Sequence, residues 1–289
     1  KKLTLLLLAL LYVTLTYAYT ERDLLQKQAD INRLKEILVL DRQWVTYPDY
    51  NDRAGWDRFL GTFKDEYIRR GEKRLNYQWQ VVKATDYLAF ERTGNRQIME
   101  KPFGANNGAI ADLLMAELAE GKGRFVDQLI NGVFNACEMT SWALAAHIIV
   151  QPSHRALPAY DYPVIDLTSG DLGGLLAWTY HFMRPSFDKV DPEISRRLRH
   201  ELQTRILDPY MNNDSFWWMG RNYNGRMLNN WNPWCNSNAL MCFMLLEDNR
   251  DTLAKAVHLT MESVDKFLNY IKADGACEEG PSYWGHAAG

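Results

Sequence analysis

The stretch Leu228-Asn-Asn-Trp-Asn-Pro-Trp-Cys-Asn-Ser-Asn238 governs how the rest of the chain is read. Five of its eleven residues are Asn, two are Trp, and Pro233 sits in the middle. Asn and Ser side chains compete for backbone hydrogen bonds and proline removes a donor, so the stretch reads as an irregular segment. It runs directly into Ala239-Leu-Met-Cys-Phe-Met-Leu-Leu246, which reads as a buried helix. A polar, aromatic loop at the mouth of a buried helix suits a carbohydrate: amides bond hydroxyls and carboxylates, and indole faces stack on sugar rings. The same composition also fits plain helix capping by Asn, with the Trp in the core.

Outward from this stretch, helical periodicity dominates. Leu24, Leu25, Ile31, Leu34, Ile37 and Leu38 place a helix over 20–43, and Trp56, Phe59, Leu60, Phe63 and Tyr67 place one over 56–75. Further helices are expected over 77–91, 109–120, 125–136, 172–183, 192–207 and 251–271, that over 192–207 capped by Asp191 with Pro192 in its first turn. Strand patterns are scarce. Roughly ten helices joined antiparallel predict an all-α fold of stacked helical hairpins. Closed into a ring, such hairpins form an α/α toroid with one set of loops around a central cleft. Of the ten Trp, Trp44, Trp217, Trp218, Trp231, Trp234 and Trp284 fall in expected loops, which favours a sugar-stacking cleft.

A chain of 289 residues, 47% apolar and 24% charged, is long enough for a sizeable core. A net charge of −3 gives no basis for nucleic-acid binding. Lys1-Lys2, an apolar run from Leu3 to Thr16 and the small residue Ala18 form the pattern of a secretory signal over 1–18. The run falls short of the ~20 residues a spanning helix needs. The expectation is a protein exported to the periplasm or beyond the cell, with no membrane segment after cleavage. Export permits disulfides, and a Cys235–Cys277 bridge is compatible with the sequence, while Cys242 reads as a buried thiol. Cys and His spacing gives no zinc pattern, and no cofactor is indicated. No initiator Met is present, and the chain stops at Gly-His-Ala-Ala-Gly289 inside what reads as a structured segment, so residues 19–289 are expected to be a truncated catalytic domain.

Two groups of polar residues stand out elsewhere. In Glu138-x-x-Ser-Trp142…His147, an unbroken helix would put Glu138 and His147 on opposite faces, so they can share a pocket only if the helix breaks near Thr140-Ser141. Arg221 and Arg226, just ahead of the Asn-rich stretch, are the best local candidates for binding a carboxylate or sulfate.

Taken in order, Glu138-x-x-Ser-Trp142…His147, Leu175-Leu-Ala-Trp-Thr-Tyr180, Asn229-Asn-Trp-Asn-Pro-Trp-Cys-Asn236 and Asp274-Gly-x-Cys-Glu-Glu-Gly-Pro-Ser-Tyr283 resemble the catalytic toroid of the heparinase II/III-like polysaccharide lyases, which also include alginate lyases. The resemblance spans about residues 40–289. It implies a toroid followed by an antiparallel β-sandwich domain, absent from this chain, that carries at least one further catalytic His. In some relatives that domain also binds zinc or calcium.

The implied substrate is an acidic polysaccharide or oligosaccharide, and the implied reaction is β-elimination at a uronic acid. Its difficulty is removing the C5 proton beside a carboxylate, which accepts electrons poorly until its charge is neutralised. By resemblance, Asn229 or Asn230 neutralises it. Tyr283, 53 residues beyond Asn230, is the acid/base, with His286 a second candidate for that role. A phenol has a pKa near ~10 and is a ready acid at neutral pH; acting as a base, it needs nearby positive charge. Many relatives carry His where this chain has Trp231. His147, Glu138 and Trp142 match positions that line the pocket from an earlier helix pair, Trp231 and Trp234 would contact sugar, and Glu279 would hold the Gly280-Pro281 turn. Two other readings stay open. One is an α/α toroid glycoside hydrolase using a carboxylate pair drawn from Asp214, Asp274, Glu278 and Glu279. The other is a glycan-binding protein without catalysis.

Overall fold

A computed structural model describes residues 21–222, 227–271, 275, 279–283 and 285. Among the described residues the chain is all-helical, with no strand. The elements are α1 (Ile31–Ile37), α2 (Arg53–Leu60), α3 (Lys64–Glu72), α4 (Ala84–Thr93), α5 (Gln97–Glu120), α6 (Val126–Cys137), α7 (Leu167–Val190), α8 (Pro192–Leu202), α9 (Asp208–Asn212), α10 (Trp231–Leu246) and α11 (Arg250–Leu268). Among them, no helix is long and apolar enough to cross a membrane.

Neighbours follow one another as a serial array. Helix α3 packs on α5, α5 on α6, α6 on α8, α8 on α7, α7 on α10, α10 on α11, and α11 on α1. The α7–α8 pair is joined through Asp191 alone, which forces the two packed helices antiparallel. Asp191 accepts the Glu193 N–H at 2.8 Å and Pro192 opens α8, as the sequence predicts. One hydrophobic core runs from Trp56 through Met99, Leu113, Leu129, Leu176, Leu202 and Phe243 to Ala256. A small second cluster, Ala29, Leu34 and Ala254, seals α1 onto α11.

The central pair is α7 and α10. Their close approach depends on Gly170, Gly173 and Gly174 along one stripe of α7. A Cβ at Gly174 would stand 2.9 Å from Asn238 Oδ1, one at Gly170 3.3 Å from Asn238 Cβ, and one at Gly173 3.6 Å from Cys242 Sγ, besides 2.8 Å from Ile206 Cγ1 in the segment after α8. Contacts advance together along both helices. Asp171 meets Trp234 and Asn238 near their starts, while Trp44 bridges Trp178 at the middle of α7 and the Met244 carbonyl in the last turn of α10. The two helices therefore run in the same direction, with both N-termini at one end.

Several elements differ from the sequence expectation, each for a non-local reason. Of the described residues in 20–43, only Ile31–Ile37 is helical. The preceding turn gives its N–H groups to α11 instead: Leu25 and Gln26 donate to the fully buried Asp265, each at 2.9 Å, and Arg22 donates to Asn269 at 2.8 Å. After α1, Asp41 and Arg42 both lie at φ 60, which ends any helix. The helix expected from Tyr77 starts only at Ala84, because the Asn106 amide takes both the N–H (3.0 Å) and the C=O (2.7 Å) of Gln80 and holds it out of a helix. The 56–75 helix breaks at Gly61, φ 50, into α2 and α3. The 192–207 helix widens into a π-turn at Gln203–Leu207. That turn carries Arg205 over the Trp142 ring (5.1 Å) and onto the free carbonyls at the end of α6, Met139 O at 2.7 Å among them.

The largest correction concerns the Asn-rich stretch. It is helical from Trp231 onward, not irregular. Pro233 falls in the first turn of α10, where its missing N–H would have had no intrahelical partner. Asn232 and Asn236 are fully buried in the core. The Asn232 amide donates to Trp218 O at 2.7 Å and to Ser263 O at 3.0 Å, while Asn236 Oδ1 accepts the Tyr210 hydroxyl at 2.6 Å.

Candidate active site

The N-termini of α7 and α10 meet at one end of the fold, and the polar residues of interest gather there. Asp166 caps α7. Its carboxylate accepts the Ser169 N–H and Oγ–H, both at 2.8 Å, and the Leu144 N–H at 2.9 Å, and it meets His147 Nδ1 at 2.6 Å. Asp166 is fully buried. Burial alone would raise its pKa, but the bond and charge of His147 and the Leu144 and Ser169 N–H groups outweigh that and hold the carboxyl below the usual aspartate value. A carboxylate on Nδ1 fixes the imidazole's orientation and leaves Nε2 as the end available to chemistry.

His147 lies against Trp231, the first residue of α10, with ring centroids 4.7 Å apart. Trp217 flanks Trp231 at 5.4 Å, and its buried Nε1 has no acceptor among the described residues. Asn229 accepts the Trp231 N–H on Oδ1 at 3.1 Å, an Asx turn that anchors the amide through its oxygen and leaves its NH2 as the donor end. Asn230 is buried, and its backbone N–H is taken by Glu279 Oε2 at 2.7 Å. Glu279 sits in the turn that carries Tyr283: Gly280 adopts φ 82, and the Tyr283 N–H bonds Gly280 O at 3.1 Å. The Tyr283 side chain is about half exposed. Trp234, one turn into α10, donates Nε1 to Asp171 at 2.5 Å, and Asp171 also accepts from Asn238 at 2.9 Å.

The structure thus joins His147, Asn229, Asn230, Trp231 and Glu279 through direct contacts, with Tyr283 in the same turn as Glu279. It seats three other candidates elsewhere. The helix does break after Cys137, and Ser141 Oγ accepts the Ala143 N–H at 3.1 Å. Glu138 nevertheless stays exposed and pairs with Arg197 of α8 at 3.1 Å. Trp142 is a core residue, with Nε1 bonded to Ala136 O at 2.8 Å. Arg221 is bound to Asp214 and to Tyr210 O. Arg226, His286, Trp284, Cys277, Asp274, Glu278 and the expected signal segment 1–18 lie outside the described residues.

Sequence reasoning missed Asp166, Asp171 and the placement of Trp217. For Asp166 a signal existed: Asp166-Leu-Thr-Ser169 reads as a capping box ahead of an apolar helix. Among the described residues no group of three or more His, Cys, Asp or Glu is placed to hold a metal ion. Cys137, Cys235 and Cys242 are buried free thiols. Burial pushes Cys137 and Cys242 up to about 12 and Cys235 well above its ordinary value, which keeps all three as inert thiols. No protein-family model matches the chain, and no curated protein is significantly similar to it.

Proposed function

We propose that the protein is an exported polysaccharide lyase whose helices form the catalytic part of an α/α toroid, and that it cleaves a uronic-acid polymer by β-elimination. One observation carries this reading. A single residue pair, Asn229-Asn230, lies between the Glu279–Tyr283 turn on one side and the Trp231–His147–Asp166 chain on the other.

In this reaction the Asn229 amide donates to the uronate carboxylate and draws off its charge. His147 Nε2 takes the C5 proton, the C5 electron pair forms the C4–C5 double bond, and the C4–O bond breaks. Tyr283 gives its phenolic proton to the departing glycosidic oxygen. Trp231 and Trp217 offer the aromatic surface on which a sugar ring stacks.

The described carboxylates of this region count against a hydrolase built on Asp214 and Glu279, while Asp274 and Glu278 lie outside the described residues. Asp166, Asp171, Glu279 and Asp214 are each tied to protein donors. A hydrolase needs two acids facing the scissile bond, one of them protonated.

The test is to incubate the protein, as its whole gene encodes it, with uronate polysaccharides. Near-ultraviolet absorbance from an unsaturated product is the expected result. New reducing ends without that absorbance would establish a hydrolase, and neither signal on any uronate polymer would leave a binder.

A further inference from the structure

We propose that a cavity at the C-terminal end of α10 is a second binding site, specific for a compact oxyanion such as sulfate or a sugar-borne sulfate ester. It is separate from the candidate active site. The 16 residues of α10 put its two ends about 24 Å apart. The proposal does not depend on the chemistry assigned to the other end.

The cavity holds about 310 Å³ and is lined by Arg42, His181, Arg184 and Arg199, together with Tyr180 and the last turn of α10. These four nitrogen-bearing side chains come from three separate segments: the loop after α1, the second half of α7, and α8. None is adjacent to another in sequence, so no basic motif announces the cluster.

Part of this arginine set caps α10. Arg42 Nε donates to Leu245 O at 2.7 Å, and Arg199 Nη2 donates to Leu246 O at 3.4 Å. Capping uses only a fraction of the donors, because each guanidinium carries five N–H groups. Arg42 spends one more on Asp248, and Arg199 one on the neutral Gln203 amide oxygen at 2.7 Å. Arg184 pairs through Nε with Asp188 at 3.4 Å. Among the described residues, Arg42 Nη2, both Nη groups of Arg184 and the ring nitrogens of His181 have no hydrogen-bond partner.

The acids at this cavity balance its charge but leave much of its donor capacity unused. Asp248 is committed to Arg42 and Asp188 to Arg184, and Glu247 Oε1 takes the Asn249 N–H at 2.7 Å. Arg199 has no carboxylate partner among the described residues. His181 lies inside this cluster, beside Arg42. Burial first, and then the charge of Arg42, hold its imidazole below the ordinary histidine range, against a smaller opposing pull from Asp49. Planar N–H donors left over after these pairings, drawn from three segments into one cavity, match a tetrahedral or planar oxyanion.

The experiment is calorimetric titration with sodium sulfate at ionic strength held constant with chloride, on the wild-type protein and on Arg184→Gln. Arg184 is exposed, and its loss leaves the α10 cap intact. Saturable sulfate binding is expected in the wild type, weakened at least about fivefold in the variant. The His181 imidazole resonance should titrate at higher pH once sulfate is bound, since a nearby anion favours the imidazolium. Parallel titrations with sulfated and desulfated uronate oligosaccharides distinguish the source. Binding of the sulfated saccharide assigns the site to the polymer, and binding of inorganic sulfate alone assigns it to a free ion. Absence of saturable binding, or binding and a His181 titration that Arg184→Gln leaves unchanged, would overturn the proposal.

Discussion

The Glu279 carboxylate accepts the backbone N–H of Asn230 at 2.7 Å, joining two turns that lie 49 residues apart in the chain. Neither the capping position nor the first turn of α10 supplies an acid of its own, so Glu279 brings negative charge to that helix end from a distance. Glu279→Ala should cost about 1–2 kcal/mol, the low end for a charge-assisted bond, because the group is partly exposed. Glu279→Gln, which keeps an acceptor oxygen, should cost less. Amide hydrogen exchange at Asn230 is the direct check. Unchanged protection in the alanine variant would mean that the bond is not formed in solution.

Asp166 makes a prediction about acid. Its folded pKa lies below the ordinary aspartate value of 3.8, so its stabilising contribution is complete above about pH 4 and is lost as pH falls through the lowered value. Asp166→Asn should therefore lower stability at neutral pH and flatten the acid limb of the stability curve. Urea unfolding midpoints measured across that limb test this. Parallel acid limbs for variant and wild type would show that Asp166 is not the titrating group. The same variant should free the His147 ring to change tautomer, seen as altered imidazole nitrogen shifts.

What the sequence disclosed, and what it hid, follows from the range of the interactions. The Asp191-Pro192 start of α8 is a local signal and could be read directly. The all-helical class was equally legible from periodicity. The helix at Trp231 was not, because proline in a first turn and proline in a loop look alike until the helix start is known. Residues 20–30 carry a sound helical pattern that loses to Asp265, a buried acceptor some 240 residues away. The polar residues around Asn229 were legible as a group, and Asp166 was legible as a helix cap, but not as the partner of His147: that bond spans 19 residues, and no spacing rule points to it. Two of the five Asn that suggested a sugar-binding loop turned out to hold the core together.

Those two asparagines can be tested by stability alone. Asn232 is fully buried, and its amide bonds Trp218 O and Ser263 O, tying the loop before α10 to α11. Asn232→Ala leaves both carbonyls without that donor and should cost about 2–3 kcal/mol. Asn232→Asp should be worse, since it sets a buried charge against carbonyl oxygens. Thermal melts of both variants decide the matter. A drop smaller for aspartate than for alanine would mean that the side chain is not enclosed as described.

Asn229 separates catalysis from folding more cleanly, because its two amide ends have different tasks. Oδ1 holds the Trp231 N–H, and the NH2 group is the donor assigned to the uronate carboxylate. Asn229→Asp keeps the oxygen and so keeps the turn, but it replaces the donor with a negative charge facing a negative substrate. The melting temperature should stay near the wild-type value while turnover falls by about 10²-fold or more. Tyr283→Phe removes only the phenolic proton and should lower kcat by about 10²–10⁴-fold with KM little changed. Both are read as the rate of near-ultraviolet product formation. Wild-type turnover in Asn229→Asp would move charge neutralisation to another donor, and wild-type turnover in Tyr283→Phe would take the tyrosine out of the reaction. If both variants are silent while His147→Gln is also active, the cluster at the start of α10 is a structural knot and the lyase reading fails with it.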